Sequence, residues 1–175
     1  MSRIAAVVLA AGEASRFGGP KQRLTLPAVL GALRQSGAVE EIVVVEGAHP
    51  LDEMGPDTRV VRNDDWELGP GASLRAGLAA LGEDVDAVMV ILADGPDLAP
   101  GAIAVVRASW EQEGGDVVAA SYGGARGHPL VLARPAWGSV PDEGLRSLPV
   151  RLVPCDAFDA PGDVDYPADL PERLR

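Results

Sequence analysis

Short apolar runs alternate with helical and glycine-rich segments along the whole chain. Three runs are almost continuously apolar and rich in β-branched residues, at 4–9, 41–45 and 87–92. This pattern is typical of strands that are buried on both faces. Shorter strands are predicted at 58–61, 116–121 and 149–154, and residues 122–132 predict a reversal into an antiparallel strand.

Helices are predicted where apolar residues recur every three or four positions, at 27–36, 72–81, 100–113 and 167–174. In the first of these, Val29, Leu30 and Leu33 share one face, and Gly37 follows as a stop signal. Strands that alternate with helices in this way predict an α/β fold around a mostly parallel sheet. Residues 1–175 fit a single domain, since a chain of this length can bury about 70% of its unfolded surface.

Two polar features directly follow buried strands. A glycine-rich loop begins at Gly12 after the first apolar run, and Asp94 follows the run at 87–92. In open α/β sheets, ligands collect at the carboxyl ends of the strands. We therefore expect the loop and Asp94 to lie on the same edge of the sheet.

Charge and cysteine content limit the classes of partner and compartment. The formal net charge is −11, so a broad basic surface for nucleic acid is not expected. No apolar run approaches the ~20 residues of a membrane span, and Met1 to Arg3 lead directly into a strand, which argues against a signal peptide. The single cysteine, Cys155, is consistent with a reducing cytosol. We expect a cytoplasmic protein that binds neither membrane nor nucleic acid.

The glycine-rich loop is the basic exception in this acidic chain. Residues 14–23 contain Arg16, Lys21 and Arg23 and no acid, and Lys21 is the only lysine of the protein. Glycines let backbone N–H groups approach an anion, and cations add charge, so the loop suits a polyphosphate. The pattern matches neither a P-loop nor G-x-G-x-x-G. An ordinary strand-to-helix connection with scattered surface charge is the alternative.

Three clusters in the loop resemble a known signature. They are Leu9-Ala10-Ala11-Gly12, Ser15-Arg16-Phe17-Gly18 and Pro20-Lys21-Gln22. Together they resemble the loop of MobA-like NTP transferases, in particular the molybdenum cofactor cytidylyltransferases. The resemblance implies a three-layer α/β/α Rossmann-like domain of the nucleotide-diphospho-sugar-transferase type. It also implies that Leu9, Ala10, Ala11 and Gly12 bind the nucleotide, while Arg16 and Lys21 stabilise the leaving pyrophosphate.

Two acidic segments resemble the metal ligands of this family. Asp94 precedes Gly95 and Pro96, and the resemblance implies that it binds both Mg²⁺ and the nucleotide, although the family usually has glutamine in place of Gly95. Residues 163–170 resemble a terminal D-x-D-T-P-x-D-L motif, which favours Asp165 over Asp163 as the second Mg²⁺ ligand. Alternatively, Asp94 forms a turn and the acidic tail caps a last helix.

Weaker similarities extend to the nucleotide and the acceptor. Asn63 and Ser73 belong to a segment that resembles the family's base and ribose contacts, although a loop before a helix start explains it equally well. His128 lies in a G-H-P motif that the family places near the acceptor, whereas a lone histidine is more often structural. Residues 142–146 resemble G-D-x-G-A-R, with Pro141 replacing the glycine.

The function that these features imply is Mg²⁺-dependent nucleotidyl transfer onto a phosphorylated small molecule, with release of pyrophosphate. Ala10-Ala11-Gly12 resembles the cytidylyl and uridylyl branch, which favours CTP, with molybdopterin as the leading acceptor and a sugar phosphate next. The segment after Leu24 is shorter than in the family. That shortening and Gly95 leave a second hypothesis, a nucleotide-binding or cofactor-binding protein of the same fold without turnover.

Overall fold

A mixed sheet of seven strands runs through the centre of the molecule. The computed structural model describes all of residues 1–175. The strands are β1 Ile4–Ala10, β2 Glu41–Glu46, β3 Thr58–Arg62, β4 Ala87–Leu92, β5 Val117–Tyr122, β6 Ala125–Ala133 and β7 Arg151–Pro154. Their order is β3-β2-β1-β4-β6-β5-β7, and only β6 runs antiparallel to its neighbours. The predicted α/β class and the antiparallel reversal are confirmed.

Helices cover both faces of this sheet. They are α1 Gln22–Ser36, α2 Pro70–Ala79 and α3 Pro100–Glu113. Alternate residues of β1 point to opposite faces, so Val8 packs in the core formed with α1 and α3, whereas Val7 packs in the core formed with α2. A strand buried on both faces needs apolar residues at every position, which explains the continuous runs in the sequence.

The structure differs from the predicted helices at three places. α1 begins at Gln22 rather than at residue 27, because Gln22, Thr25 and Leu26 already continue its buried face. Pro27 lies inside the helix on its exposed side. α2 begins at Pro70, two residues before the predicted start. The predicted last helix is wrong, since residues 167–174 form only two short 3-10 turns separated by Pro171.

The register of the central strands fixes where their polar extensions lie. Leu9 of β1 pairs with Leu92 of β4 in parallel, and the Ala93 N–H donates to the Leu9 carbonyl at 3.1 Å. The loop after β1 and Asp94 after β4 therefore leave the sheet at the same edge, as predicted. None of the helices combines the length with the apolar composition that a membrane span requires.

The start of α2 packs closely against the segment that follows residue 140. The Gly71 N–H donates to the Asp142 carbonyl at 2.9 Å, and a Cβ on Gly71 would overlap the Pro141 carbonyl oxygen. We expect Gly71→Ala to lower the free energy of unfolding by about 1–3 kcal/mol, because the added methyl group must displace backbone. Urea denaturation measures the change.

Gly31→Ala is the matched control. Gly31 lies on the exposed side of α1, and a Cβ there would meet no atom within 4 Å. Alanine is the better helix former, so the free energy of unfolding of this variant is expected to rise by up to about 1 kcal/mol. Equal effects at the two glycines would contradict the packing described for α2.

Candidate active site

The loop between β1 and α1 folds back over the carboxyl edge of the sheet. It contains two residues in the left-handed region, Ala14 with φ 55° and Gly18 with φ 85°. The buried Gln22 holds the loop from the start of α1, because its Nε2 donates to the Gly12 carbonyl at 3.0 Å. Its Oε1 is buried without a hydrogen-bond partner. This hydrogen bond joins the two ends of the loop, and Oε1 of Gln22 remains as an unpaired acceptor inside it.

Lys21 lies at the centre of the polar cluster on this edge. Its Nζ is 3.3 Å from Oδ2 of Asp94 and 3.4 Å from Oδ1 of Asp165, and it donates to the Val164 carbonyl. Its side chain is 9% exposed, against 27% for Asp94 and 35% for Asp165. Arg16 reaches Oδ2 of Asp165 at 3.2 Å from the solvent side. Two predicted cations and two predicted carboxylates therefore come together in one network.

A third carboxylate belongs to the same group. One oxygen from each of Asp94, Asp163 and Asp165 lies within 4.8 Å of the others, and we call these residues the carboxylate trio. Burial raises the pKa of Asp163, and its neighbours Asp94 and Asp165 raise it further. The sequence favoured Asp165 alone as the partner of Asp94, whereas the structure also brings Asp163 to the site.

The three carboxylates repel one another at this distance, so a divalent cation that prefers oxygen ligands would stabilise them. Mg²⁺ and similar ions need only one or two protein carboxylates together with substrate phosphates. The trio supplies these, and Lys21 supplies the compensating positive charge. The residues present therefore fit a divalent metal ion, which Asp94 would hold together with Asp163 or Asp165.

Gly95 leaves room for the segment that carries Asp163 and Asp165 to pack against the turn after β4. The Val164 N–H donates to the Asp94 carbonyl at 3.0 Å, and the Asp97 N–H donates to the Pro161 carbonyl at 2.9 Å. A Cβ on Gly95 would lie 2.8 Å from Cβ of Pro161. The glutamine usual at this position would therefore clash, and the glycine is matched to this chain's own packing.

A cavity of about 250 Å³ opens between the loop and the trio. Leu9, Gly12, Arg16 and Lys21 line it together with Asp94 and Asp165. Ala10 and Ala11 are buried and do not line the cavity, so their predicted contact with the nucleotide stays a prediction. A Cβ on Gly47 would lie 2.8 Å from the Ala11 carbonyl oxygen.

Asn63 and Ser73 form a buried pair. The Asn63 Nδ2 donates to Oγ of Ser73 at 2.9 Å, and its Oδ1 accepts the Asp65 N–H at 3.0 Å. The pair joins the end of β3 to the start of α2. Neither residue lines the 250 Å³ cavity, and their predicted contact with the nucleotide stays a prediction.

His128 lies on β6, on the other side of β4 from the loop. It lines a cavity of about 430 Å³ with Asp163 and Tyr122, and a cavity of about 930 Å³ with Arg126 and Arg146. Burial, followed by the charge of Arg126, lowers the pKa of His128 to about 4, although Asp94 opposes the shift. The imidazole is therefore neutral near pH 7.

This shift predicts a pH-dependent contribution to stability. Between pH ~6.5, the ordinary pKa of histidine, and about 4, the unfolded chain binds a proton that the folded protein does not. The free energy of unfolding therefore falls as the pH falls through this window. We expect His128→Gln to lose less stability than the wild type between pH 7 and pH 4.5, measured by urea denaturation.

His49→Gln, which replaces the only other histidine, is the control and should behave as the wild type does. The His49 ring instead contacts the Glu13 carbonyl, with Nε2 at 2.7 Å. If His128→Gln and the wild type lose stability in parallel, the proposed burial of a neutral His128 is wrong.

The sequence and the fold can now be compared with known proteins. Residues 6–150 match the family model described as the MobA-like NTP transferase domain. The structure is similar to that of Rv0371c from Mycobacterium tuberculosis H37Rv, with 29% identity, coverage of 96% of each chain and a TM-score of 0.76. A complex of Rv0371c with manganese matches with the same identity and coverage and a TM-score of 0.72.

Two further structures share the fold at lower identity. A nucleotidyl transferase from Methanothermobacter thermautotroptrophicus, Mth528, is 23% identical, with 97% of this chain and 94% of that chain covered and a TM-score of 0.76. The 4-diphosphocytidyl-2C-methyl-D-erythritol synthase of Anaerococcus prevotii is 14% identical over 96% of this chain and 94% of that one, with a TM-score of 0.71. No curated protein gives a significant match.

Proposed function

Because the chain belongs to the MobA-like NTP transferase family and is a nucleotidyltransferase, we propose that it transfers CMP from CTP to a phosphorylated small molecule. Molybdopterin is the favoured acceptor, and Mg²⁺ the favoured metal. The observation that carries the proposal is the position of Lys21. This buried ammonium joins the glycine-rich loop to Asp94 and Asp165, where a nucleoside triphosphate and its metal would meet.

The reaction needs no general base from the protein. An oxygen of the acceptor phosphate attacks the α-phosphorus and forms a new P–O bond. The bond from the α-phosphorus to the bridging oxygen breaks, and pyrophosphate leaves with that electron pair. Because the second pKa of a phosphate monoester is about 6, the attacking oxygen is already deprotonated near neutral pH.

Positioning and charge are what this chain's residues contribute. Gly12 lines the cavity, and the loop backbone can hold the phosphates, as glycine-rich loops do. Arg16 and Lys21 can follow the negative charge that moves onto pyrophosphate. The trio would hold Mg²⁺, which when bound neutralises phosphate charge. Lys21 and Arg16 would then exchange carboxylate oxygens for phosphate oxygens.

The preference for CTP and the compartment belong to the same proposal. Ala10-Ala11-Gly12 supports CTP through its resemblance to the cytidylyl branch of the family. Cys155 supports a cytoplasmic location, because it is a single free thiol that the core buries.

Pyrophosphate release tests the transfer. The protein is incubated with Mg²⁺, one of the four nucleoside triphosphates, and either molybdopterin or a sugar phosphate. We expect release with CTP and molybdopterin together, and none when either is left out. Release with another nucleotide would overturn the preference for CTP. Release with a sugar phosphate would overturn molybdopterin as the acceptor. Release in no combination would overturn molybdopterin and the sugar phosphates as acceptors together.

A further inference from the structure

Four successive carbonyl groups around the start of the glycine-rich loop each accept a hydrogen bond from the protein. Ala11 accepts from the Ala48 N–H at 3.1 Å, Gly12 from Nε2 of Gln22 at 3.0 Å, Glu13 from Nε2 of His49 at 2.7 Å, and Ala14 from the N–H groups of Phe17 and Gly18. The backbone N–H groups of residues 12–16, in contrast, donate to no acceptor of the protein. All five of these residues line the 250 Å³ cavity. The loop therefore has its acceptors occupied and its donors free.

His49 makes the one contact of this set that comes from a side chain outside the loop and α1. It lies three residues beyond the end of β2, which neighbours β1 on the side opposite to β4. Gly47 lets this segment pass close to the loop, since a Cβ there would lie 2.8 Å from the Ala11 carbonyl oxygen. A carbonyl oxygen only accepts, so the His49 ring donates through its Nε2–H. His49 itself does not line the cavity.

The peptide that His49 holds is the one that leads into Ala14. Ala14 has φ 55° and is the only non-glycine residue of the chain in the left-handed region, which a Cβ disfavours. In a trans peptide, the C=O of one residue and the N–H of the next point in opposite directions. The contact between the Glu13 carbonyl and His49 therefore turns the Ala14 N–H away from His49. The hydrogen bond and the unfavourable φ concern the same peptide unit.

Without the His49 donor, rotation of this peptide becomes favourable. Half a turn would take φ of Ala14 from 55° to roughly −125°, inside the broad β region. The same rotation exchanges the directions of the Glu13 carbonyl and the Ala14 N–H. Because Glu13 and Ala14 line the cavity and His49 does not, a carbonyl oxygen would then take the place of an N–H on the cavity side. A carbonyl oxygen in that place would repel the oxygens of a phosphate.

We propose that His49 is a positioning residue, which holds the peptide between Glu13 and Ala14 so that its N–H, and not its carbonyl, meets the polyphosphate of the substrate. This inference rests on the proposed function, which brings a triphosphate to the loop. Consecutive backbone N–H groups bind an anion together, so one reversed peptide removes a donor and adds an acceptor in the same place. His49 thus sets the affinity for the triphosphate without touching it.

Calorimetric titration with inorganic tripolyphosphate in Mg²⁺ tests the role of His49. This probe carries the polyphosphate without base or ribose, so its binding does not depend on the preference for CTP. We expect His49→Ala to bind it roughly tenfold more weakly, the effect of one net hydrogen bond. His49→Gln should keep most of the affinity, because its side-chain amide presents an N–H donor in place of the Nε2–H.

A second substitution, Ala14→Gly, separates this role from a general loss of stability. Glycine adopts φ 55° without a steric penalty, so a protein that carries both His49→Ala and Ala14→Gly has no strain that favours the rotated peptide. This double variant should bind tripolyphosphate more tightly than His49→Ala alone. Equal affinities of the two proteins would contradict the action of His49 through this peptide.

Ser36→Ala is the matched control. It removes another side chain that donates to a backbone carbonyl, that of Leu33 at 2.6 Å, at the far end of α1, and it should bind tripolyphosphate as the wild type does. Wild-type affinity in His49→Ala, or no saturable binding of tripolyphosphate to the wild type, would overturn the proposal. CTP is titrated separately on the wild type. If tripolyphosphate binds and CTP does not, the proposed CTP function fails, while the comparison at His49 still tests the positioning role.

Discussion

Lys21→Ala is expected to lower turnover by roughly 10²-fold or more, the effect of removing a preorganised electrostatic contact from a developing charge. Lys21 is the one cation that contacts both Asp94 and Asp165, and it is the residue of the loop best placed to meet the triphosphate. Pyrophosphate release at saturating Mg²⁺ and nucleotide measures the change. Saturating metal matters, because the variant leaves the carboxylate trio without its buried counter-charge.

Arg23→Ala is the matched control for Lys21. It removes a neighbouring cation whose guanidinium contacts only the Pro50 carbonyl, at 3.1 Å, and it should keep the wild-type rate. A Lys21→Ala variant that turns over at the rate of Arg23→Ala would show that the loop lysine has no part in the transfer. Without metal, the free energy of unfolding of Lys21→Ala should also fall by about 1–3 kcal/mol, because the polar partners of Nζ lose a contact.

Asp94→Asn is expected to abolish activity and its dependence on Mg²⁺ together. An amide keeps the shape of the side chain but removes the charge that a hard cation requires. Asp94 is also the member of the carboxylate trio that lies directly after β4, so the sheet fixes its position. Activity is measured over a range of Mg²⁺ concentrations and compared with that of the wild type.

Asp97→Asn tests whether this effect belongs to the site. Asp97 lies three residues further along the same turn, and its carboxylate pairs with Arg173 on the surface. This variant should keep both its activity and its response to Mg²⁺. An Asp94→Asn protein that remains active in Mg²⁺ would remove Asp94 from the metal site.

The fold could be predicted from the sequence wherever nearly every residue of an element is buried. β1, β2 and β4 are buried on both faces, so their apolar runs are unbroken and their positions were predicted to within a residue or so. The start of α1 was missed because its first buried residues include Gln22 and Thr25, which are polar and hide the periodicity. Pro27 then looked like a first-turn residue, although it lies in the helix interior.

The candidate site could be predicted only for residues whose position follows from the strand that precedes them in the sequence. The loop and Asp94 each follow a buried strand, and a parallel sheet brings such ends together. The sequence favoured Asp165 over Asp163, because a motif gives no information on whether both carboxylates return to Asp94 in the fold. The contacts of Lys21 with Val164 and Asp165 join residues more than 140 positions apart.

Calorimetric titration of CTP, GTP, UTP and ATP in Mg²⁺ tests the central claim most directly, because it requires no knowledge of the acceptor. Lys21→Ala is titrated in parallel under the same conditions. The proposed site predicts that CTP binds in preference to the other nucleotides and that the variant loses this binding. Absence of binding by all four nucleotides to the wild-type protein would contradict it.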